Sequence, residues 1–482
     1  MRVLENLEPK AVFSFFEDLC AIPHGSTHTK AISDYCVAFA KARGLEYYQD
    51  DANNIILKKP ATAGYEAAAP VILQGHLDMV CDKAPDCTKD METEGLELAI
   101  DTEKNEVYAK GTTLGGDDGI AVAMALAILD AADLPHPALE AVFTTDEEIG
   151  MLGAMALDAS PLKGRILINI DSEDEGVFTV SCAGGNMSKC CLPIAREHFS
   201  GTRYTLSIHG CLGGHSGQEI NKGRLNPCMA LGRILYTLGQ KTSFRLISVA
   251  GGTKDNAIPT NATAELIAKD GAAVAAVAAE YGRRFAVEFA TADPDIAVEA
   301  AAAGDANADT MDKETTRKVV CMLTALPNGV QAMSADMPGL VQTSLNLGIL
   351  KTTEARVEAN FCVRSALDSQ KEMLKDRLAC LMGALGGSVE YSGDYPGWAY
   401  KKDSILRERM VEVYKDQYGA EPKVEAIHAG VECGLFAGKL AGLDAVSFGP
   451  NLRQIHTFRE RMEIGSVQRT WKFLCEVLRR MH

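Results

Sequence analysis

Apolar residues come along this chain in short unbroken runs that stop at polar residues. The run at 71–78, VILQGHLD, has counterparts at 138–144, 165–170 and 445–448. Runs of this length without alternation predict strands buried on both faces, as in a parallel sheet, with the polar residues at their C-terminal ends. Elsewhere the apolar spacing is helical. It predicts a helix over 8–22 opened by Pro9, with Val12, Phe13, Phe16 and Leu19 on one face, and a second from Thr29 to a stop at Gly44. Residues 45–48 and 55–57 predict a hairpin, as do 96–100 and 107–109 around Glu103-Lys104-Asn105. A strongly apolar helix is predicted at 120–131.

Between 187 and 395 the texture changes to alternating strands and alanine-rich helices. Strands are expected at 204–209, 244–250, 264–268, 344–349 and 356–363. Helices are expected from the Asn226-Pro227 cap to Leu238, at 271–289 and at 369–385. The order strand, strand, helix occurs twice and suggests a duplicated unit. The earlier pattern resumes afterwards, with His428 and His456. The expected fold is therefore α/β: a mixed, mainly parallel sheet flanked by helices, built from 1–186 and 396–482, with an inserted α+β domain at 187–395.

Composition narrows what such a fold can do. A length of 482 residues suits two or three domains. The net charge of -17 argues against nucleic acid or an anionic membrane as partner. The first ten residues lack the apolar core of a secretory leader, and the longest apolar run, 120–129, is too short to span a bilayer. The 14 cysteines include no CxxC pair, so neither a disulfide framework nor a thiolate zinc site is expected. Reduced thiols in a cytoplasmic protein are the simpler expectation.

Candidate chemistry gathers at the predicted strand ends. His76 and Asp78 end the first run, Asp117 and Asp118 sit in GGDDG before the apolar helix, Glu147 and Glu148 follow the 138–144 run, and Asp171 follows 165–170. His456 lies in the loop after 445–448. His76, Asp117, Glu148, Asp171 and His456 would offer two imidazoles and three carboxylates, a donor set that nearly neutralises two divalent cations, with one carboxylate bridging. Each has an ordinary explanation alone: a structural His–Asp pair, a helix cap, a solvated acidic loop. All five arriving together at strand ends is much less ordinary. His24 and His28 read as plain loop residues.

These residues carry a resemblance. His76-Leu77-Asp78, Gly115 to Gly119, Asp146-Glu147-Glu148 with Gly150, Asp171-Ser172 and the late His456 resemble the motif series of the M20 metallopeptidases. The stretches 112–115 (TTLG), 182–185 (CAGG), 428–434 (HAGVECG) and Gly449-Pro450 resemble more narrowly its aminoacyl-histidine dipeptidase branch (peptidase D, Xaa-His or beta-Ala-His dipeptidase). Gly116 and Val431 are mild departures from the branch pattern.

The resemblance implies two divalent metal ions, zinc first with cobalt and manganese as options: one held by His76 and Asp171, the other by Glu148 and His456, with Asp117 across both. It implies Glu147 as general base, Asp78 as the partner that steadies the His76 imidazole, and His215, in Gly213-Gly214-His215-Ser216-Gly217, as donor to the oxyanion. Arg364 would clamp the substrate carboxylate, Asn256 is a weaker substrate contact, and Glu432 is a guess for the substrate ammonium. The inserted domain would be a lid that closes over the site, with hinges near 186 and 395. A dipeptide substrate, a cytoplasmic location and a homodimer are also implied. Competing expectations are an aminoacylase or carboxypeptidase using the same metals, and a non-catalytic protein on the same fold. A nucleotide-binding protein is disfavoured, since no GxGxxG follows the first strand.

Overall fold

The computed structural model describes residues 2–482, which divide into two compact units. The first comprises the chain up to Ser181, Tyr400–Ala426 and Val431–His482; the second comprises Cys182–Ala399 and Ile427–Gly430.

The first unit is built on an eight-stranded sheet in the order Glu46–Gln49, Ile55–Lys59, Leu139–Thr144, Val71–His76, Ile166–Asn169, Asp444–Ser447, Val177–Cys182, Lys423–Ile427. Val71–His76 runs parallel to both Leu139–Thr144 and Ile166–Asn169, and Asp444–Ser447 is parallel to Ile166–Asn169. The edge hairpin is antiparallel. Val71–His76, Leu139–Thr144 and Asp444–Ser447 are buried at every position, which is why their sequences run apolar without alternation. Helix Gly116–Asp130 is buried from Gly119 through Leu129. A helix apolar on all sides needs cover on all sides, and the strand Val71–His76 and the helix Lys10–Cys20 supply much of it. At the C-terminus, helix Ile464–Arg479 packs Phe473 against Phe178, Tyr414 and Phe448. That aromatic cluster fixes the returning chain to the first sheet. Because the four central strands share one direction, His76 and the residues after Thr144, Asn169 and Ser447 emerge at one sheet edge.

The second unit holds a nine-stranded sheet. Its main order is Ala297–Met311, Arg196–His209, Ala262–Ala268, Phe244–Gly251, Val341–Thr352, Arg356–Ser365, Gly184–Pro193, Ser388–Tyr395, with Gly329–Met333 beside Val341–Thr352. The register pairs are antiparallel. Four strands from 196–311 lie on one side, joined at Gly251 and Leu350 to the other five. Helices Pro227–Gly239, Gly271–Glu288, Lys313–Ala325 and Asp368–Ala384 complete a continuous core.

Three features differ from the sequence expectation. The break between units falls after Ser181 and Ala399, not at 186 and 395, because Gly184–Pro193 is already an inner strand of the second sheet. Cys182 and Trp398 exchange backbone hydrogen bonds of 3.1 and 3.0 Å there, so both chain crossings lie side by side. Residues 427–430, expected with the first unit, belong to the second. Strand Ala297–Met311, AVEAAAAGDANADTM, was not expected at all. Its alanine, glycine and aspartate disfavour strands, and it forms by pairing along Arg196–His209 as a largely exposed edge.

Candidate metal centre

Five side chains meet at the C-terminal edge of the first sheet. His76 ends strand Val71–His76, and the structure fixes its proton: Nδ1 donates to the carbonyl of Asp78 at 2.9 Å. Nε2 is thereby left to face the carboxylates of the cluster. It lies 3.1 Å from Asp117 Oδ1 and 3.7 Å from Asp171 Oδ1. Asp117 is carried by an irregular entry into helix Gly116–Asp130, where Asp117 and Asp118 depart from helical φ and ψ. Its other oxygen, Oδ2, is 3.1 Å from His456 Nε2, and that same nitrogen is 2.9 Å from Glu148 Oε2. His456 is held at φ +60, a left-handed conformation that a non-glycine residue adopts at a local energetic cost.

The donor set fits a pair of divalent cations. Ligand atoms of His76, Asp117 and Glu148 all lie within 4.8 Å of one another, and so do those of His76, Asp118 and Asp171. Glu148 Oε1 is buried without a hydrogen-bond partner. Buried carboxylates this close repel one another unless positive charge lies between them. Asp117 is buried, yet hydrogen bonds from His456 and His76 hold its carboxyl well below the usual range. Burial pushes Asp171 up to about 6, with Asp117 and Glu148 adding to it against His76. Asp118 is fully buried and pushed well above its ordinary value, first by desolvation and then by Asp171. It accepts from the backbone N–H of His76 at 3.2 Å and acts as a brace for the strand end.

Asp78 has a part beyond the one expected. Its carboxylate stands 3.6 Å from His76 Nδ1, which bonds its carbonyl instead. The carboxylate accepts from the backbone N–H of Glu147 at 3.0 Å and of Glu148 at 3.3 Å, and from the Ser26 hydroxyl at 2.8 Å. Asp78 thus sets the loop that carries Glu147 and Glu148. Burial pushes the Glu147 carboxyl up to about 9; His76 opposes this, while Asp171, Glu432 and Glu148 reinforce it.

Glu432 is fully buried at the start of helix Glu432–Lys439. Its Oε2 accepts from Gln74 Nε2 at 2.5 Å and from the Thr144 hydroxyl at 2.7 Å. It ties strands Val71–His76 and Leu139–Thr144 together through Oε2, while Oε1 is without a partner.

Within the second unit, His215 Nδ1 accepts from the backbone N–H of Gln218 at 2.9 Å and of Gly217 at 3.2 Å. Its proton therefore resides on Nε2, leaving a donor. Burial and the Arg364 charge lower its pKa. Arg364 is buried, donates from Nη1 to the Tyr395 hydroxyl at 3.2 Å, and keeps Nε without a partner. Asn256 is exposed, and its carbonyl accepts from Ser216 N–H at 2.9 Å. His428 opens the HAGVECG stretch. It is buried in this unit with Nε2 2.7 Å from Ser344 Oγ and Nδ1 unpartnered.

An α/β sheet that gathers two imidazoles and three carboxylates at the ends of its parallel strands has the build of a metal-dependent hydrolase. The chain belongs to peptidase family M20/M25/M40, whose sequence model matches residues 72–480, and it is a peptide hydrolase. It is 37% identical over 483 residues to the cytosol non-specific dipeptidase of Escherichia coli, covering 99% of each chain. The crystal structure of aminoacylhistidine dipeptidase from Vibrio alginolyticus superposes with a TM-score of 0.94 at 35% identity, covering 98% of this chain and 97% of that one. An M20 metallo-carboxypeptidase from Sulfolobus solfataricus shares the fold at a TM-score of 0.53 and 15% identity, over 98% and 99% of the two chains.

Proposed function

We propose that this chain is a metal-dependent dipeptidase that hydrolyses the peptide bond of unblocked dipeptides, Xaa-His substrates including beta-Ala-His among them. Two relatives above 30% identity that span nearly the whole chain are named as dipeptidases, which supports the substrate class. The observation that carries the reading is the division of the Asp117 carboxylate, one oxygen toward His76 and the other toward His456. His76 and Asp171 would hold one cation, Glu148 and His456 the other, and Asp117 both. Zinc is the proposed metal; cobalt and manganese suit the same donors. Bound there, the metals would supply a Lewis acid and ease deprotonation of water.

With cations in the cluster to draw its carboxyl down, Glu147 would stand ionised, take a proton from water and hand it to the leaving amine. Asp78 holds Glu147 in place through its backbone N–H. His215 offers its Nε2 proton to the oxyanion, and Arg364, with an unpartnered N–H, takes the substrate carboxylate. Asn256 offers a side-chain amide as a further substrate contact. A cytoplasmic homodimer belongs to the same proposal; no helix among the described residues is long and apolar enough to cross a membrane.

The test is a panel of beta-Ala-His, several α-dipeptides, a tripeptide and an N-acetyl amino acid, run on the parent and on Glu147→Gln. Dipeptides should be cleaved and the N-acetyl substrate spared. Glu147→Gln should keep its metal and lose at least about a hundredfold in turnover, the scale of a lost general base. Cleavage confined to N-acetyl substrates would overturn the dipeptidase reading, and parent-like turnover in the variant would remove Glu147 from its role.

A further inference from the structure

Four residues after His456, Glu460 is 1% exposed and uses both carboxylate oxygens on the backbone that delivers Asp117. Oε2 accepts from the N–H groups of Leu114 and Gly115 at 2.8 and 3.0 Å. Oε1 accepts from those of Gly116 and Asp117 at 2.8 and 3.3 Å. Four consecutive amides, the last belonging to the bridging ligand itself, converge on one side chain. The glycine pair makes this possible. Gly115 sits at φ +69, and a Cβ on Gly116 would come within 3.1 Å of Glu460 Oε1.

Glu460 is equally tied to the loop of the other ligand. Its own N–H donates to Thr457 O at 3.0 Å, closing a turn directly after His456, and Phe458 N–H donates to Asp82 Oδ2 at 2.9 Å. One buried carboxylate thus clasps the Asp117 loop from within the His456 loop, although 339 residues separate the two ligands.

We propose that Glu460 is a positioning residue for the dinuclear centre, which presets Asp117 and His456 as one unit before a cation arrives. The proposal rests on the reading of the five-residue cluster as a metal centre. Glu460 stands behind the ligands and contacts neither substrate nor cation. Its contribution is to metal affinity, through ligands that need no reordering on binding.

The experiment is competition of the metal-free full-length chain against a chromophoric chelator for Zn²⁺, on the parent and on Glu460→Gln, with amide exchange across 114–117 read alongside. Gln keeps the shape but turns one acceptor oxygen into a donor facing two N–H groups. The variant should bind Zn²⁺ about 10- to 100-fold more weakly, as supporting partners of ligands do, with faster exchange at 114–117. Parent-level affinity in a folded Glu460→Gln overturns the proposal, because a clasp that only stabilised the fold would leave affinity untouched. Should that variant not fold, Glu460→Asp, set back by one methylene, is read in its place: weakened binding supports the proposal and parent-level binding overturns it. A parent that binds no Zn²⁺ brings down the metal-centre reading itself, and is thereby distinct from failure of the clasp alone.

Discussion

His428 shows how a single buried group couples protonation to stability. Desolvation, with the charges of Arg364 and His215 adding to it, depresses its pKa to about 3. The ordinary value is 6.5. The folded chain therefore keeps this imidazole neutral, while an unfolded chain takes up a proton once the pH drops below about 6.5. Folding then releases a proton, so stability is lost as the pH falls from about 6.5 toward 3, by at most about 1.4 kcal/mol per pH unit. Above pH 6.5 the group contributes no slope. Urea unfolding of the metal-free chain at pH 5 and pH 7, followed through Trp398 in the same unit, should show this loss. His428→Gln should flatten it, and an unaltered slope in that variant would mean other groups carry the dependence.

Among the elements, helix Pro227–Gly239 depends most visibly on one cap. The Asn226 side chain accepts from Cys228 and Met229 N–H at 3.1 and 3.3 Å. Its amide donates to Asn346 Oδ1 at 3.1 Å and to Leu347 O at 2.9 Å, joining the helix to strand Val341–Thr352. Asn226→Ala removes a cap and strands buried acceptors, a cost of about 2–3 kcal/mol. In a unit of this size that is a drop of roughly 5–10 °C in its melting transition, measurable by calorimetry, with Zn²⁺ affinity in the first unit unmoved. This cap was legible as Asn-Pro before an apolar helical spacing, and the parallel strands were legible because burial on both faces leaves unbroken apolar runs. His76, Asp117, Glu148, Asp171 and His456 were legible as strand-end polar residues whose motifs resemble a known series. What escaped depends on tertiary contact alone. Glu460 lies between Arg459 and Arg461 and reads as a solvated charge run. The Asp78 carboxylate could face either a side chain or a backbone, and only the fold chooses. Strand Ala297–Met311 has an unfavourable composition that its long pairing with Arg196–His209 overrides.

At the scale of the whole chain, the ligands come from 76, 117, 148, 171 and 456, so the last is separated from the others by the entire second unit. Cations at the cluster would close a long loop within the first unit and neutralise carboxylates that otherwise repel. A cation that binds the folded unit but not the unfolded chain stabilises it by about 2.7 kcal/mol at a hundred times its dissociation constant. None of the five ligands lies in the second unit, so the stabilisation should be unequal. Calorimetry before and after chelation is expected to move one transition by roughly 5–10 °C. Amide exchange assigns that transition: protection in Val71–His76, Ile166–Asn169 and Asp444–Ser447 should fall when metal is withdrawn and return on adding Zn²⁺, while Val341–Thr352 keeps its protection. Equal losses in both units would mean that metal is not confined to the cluster at the sheet edge, and the assignment of its five ligands would have to be abandoned.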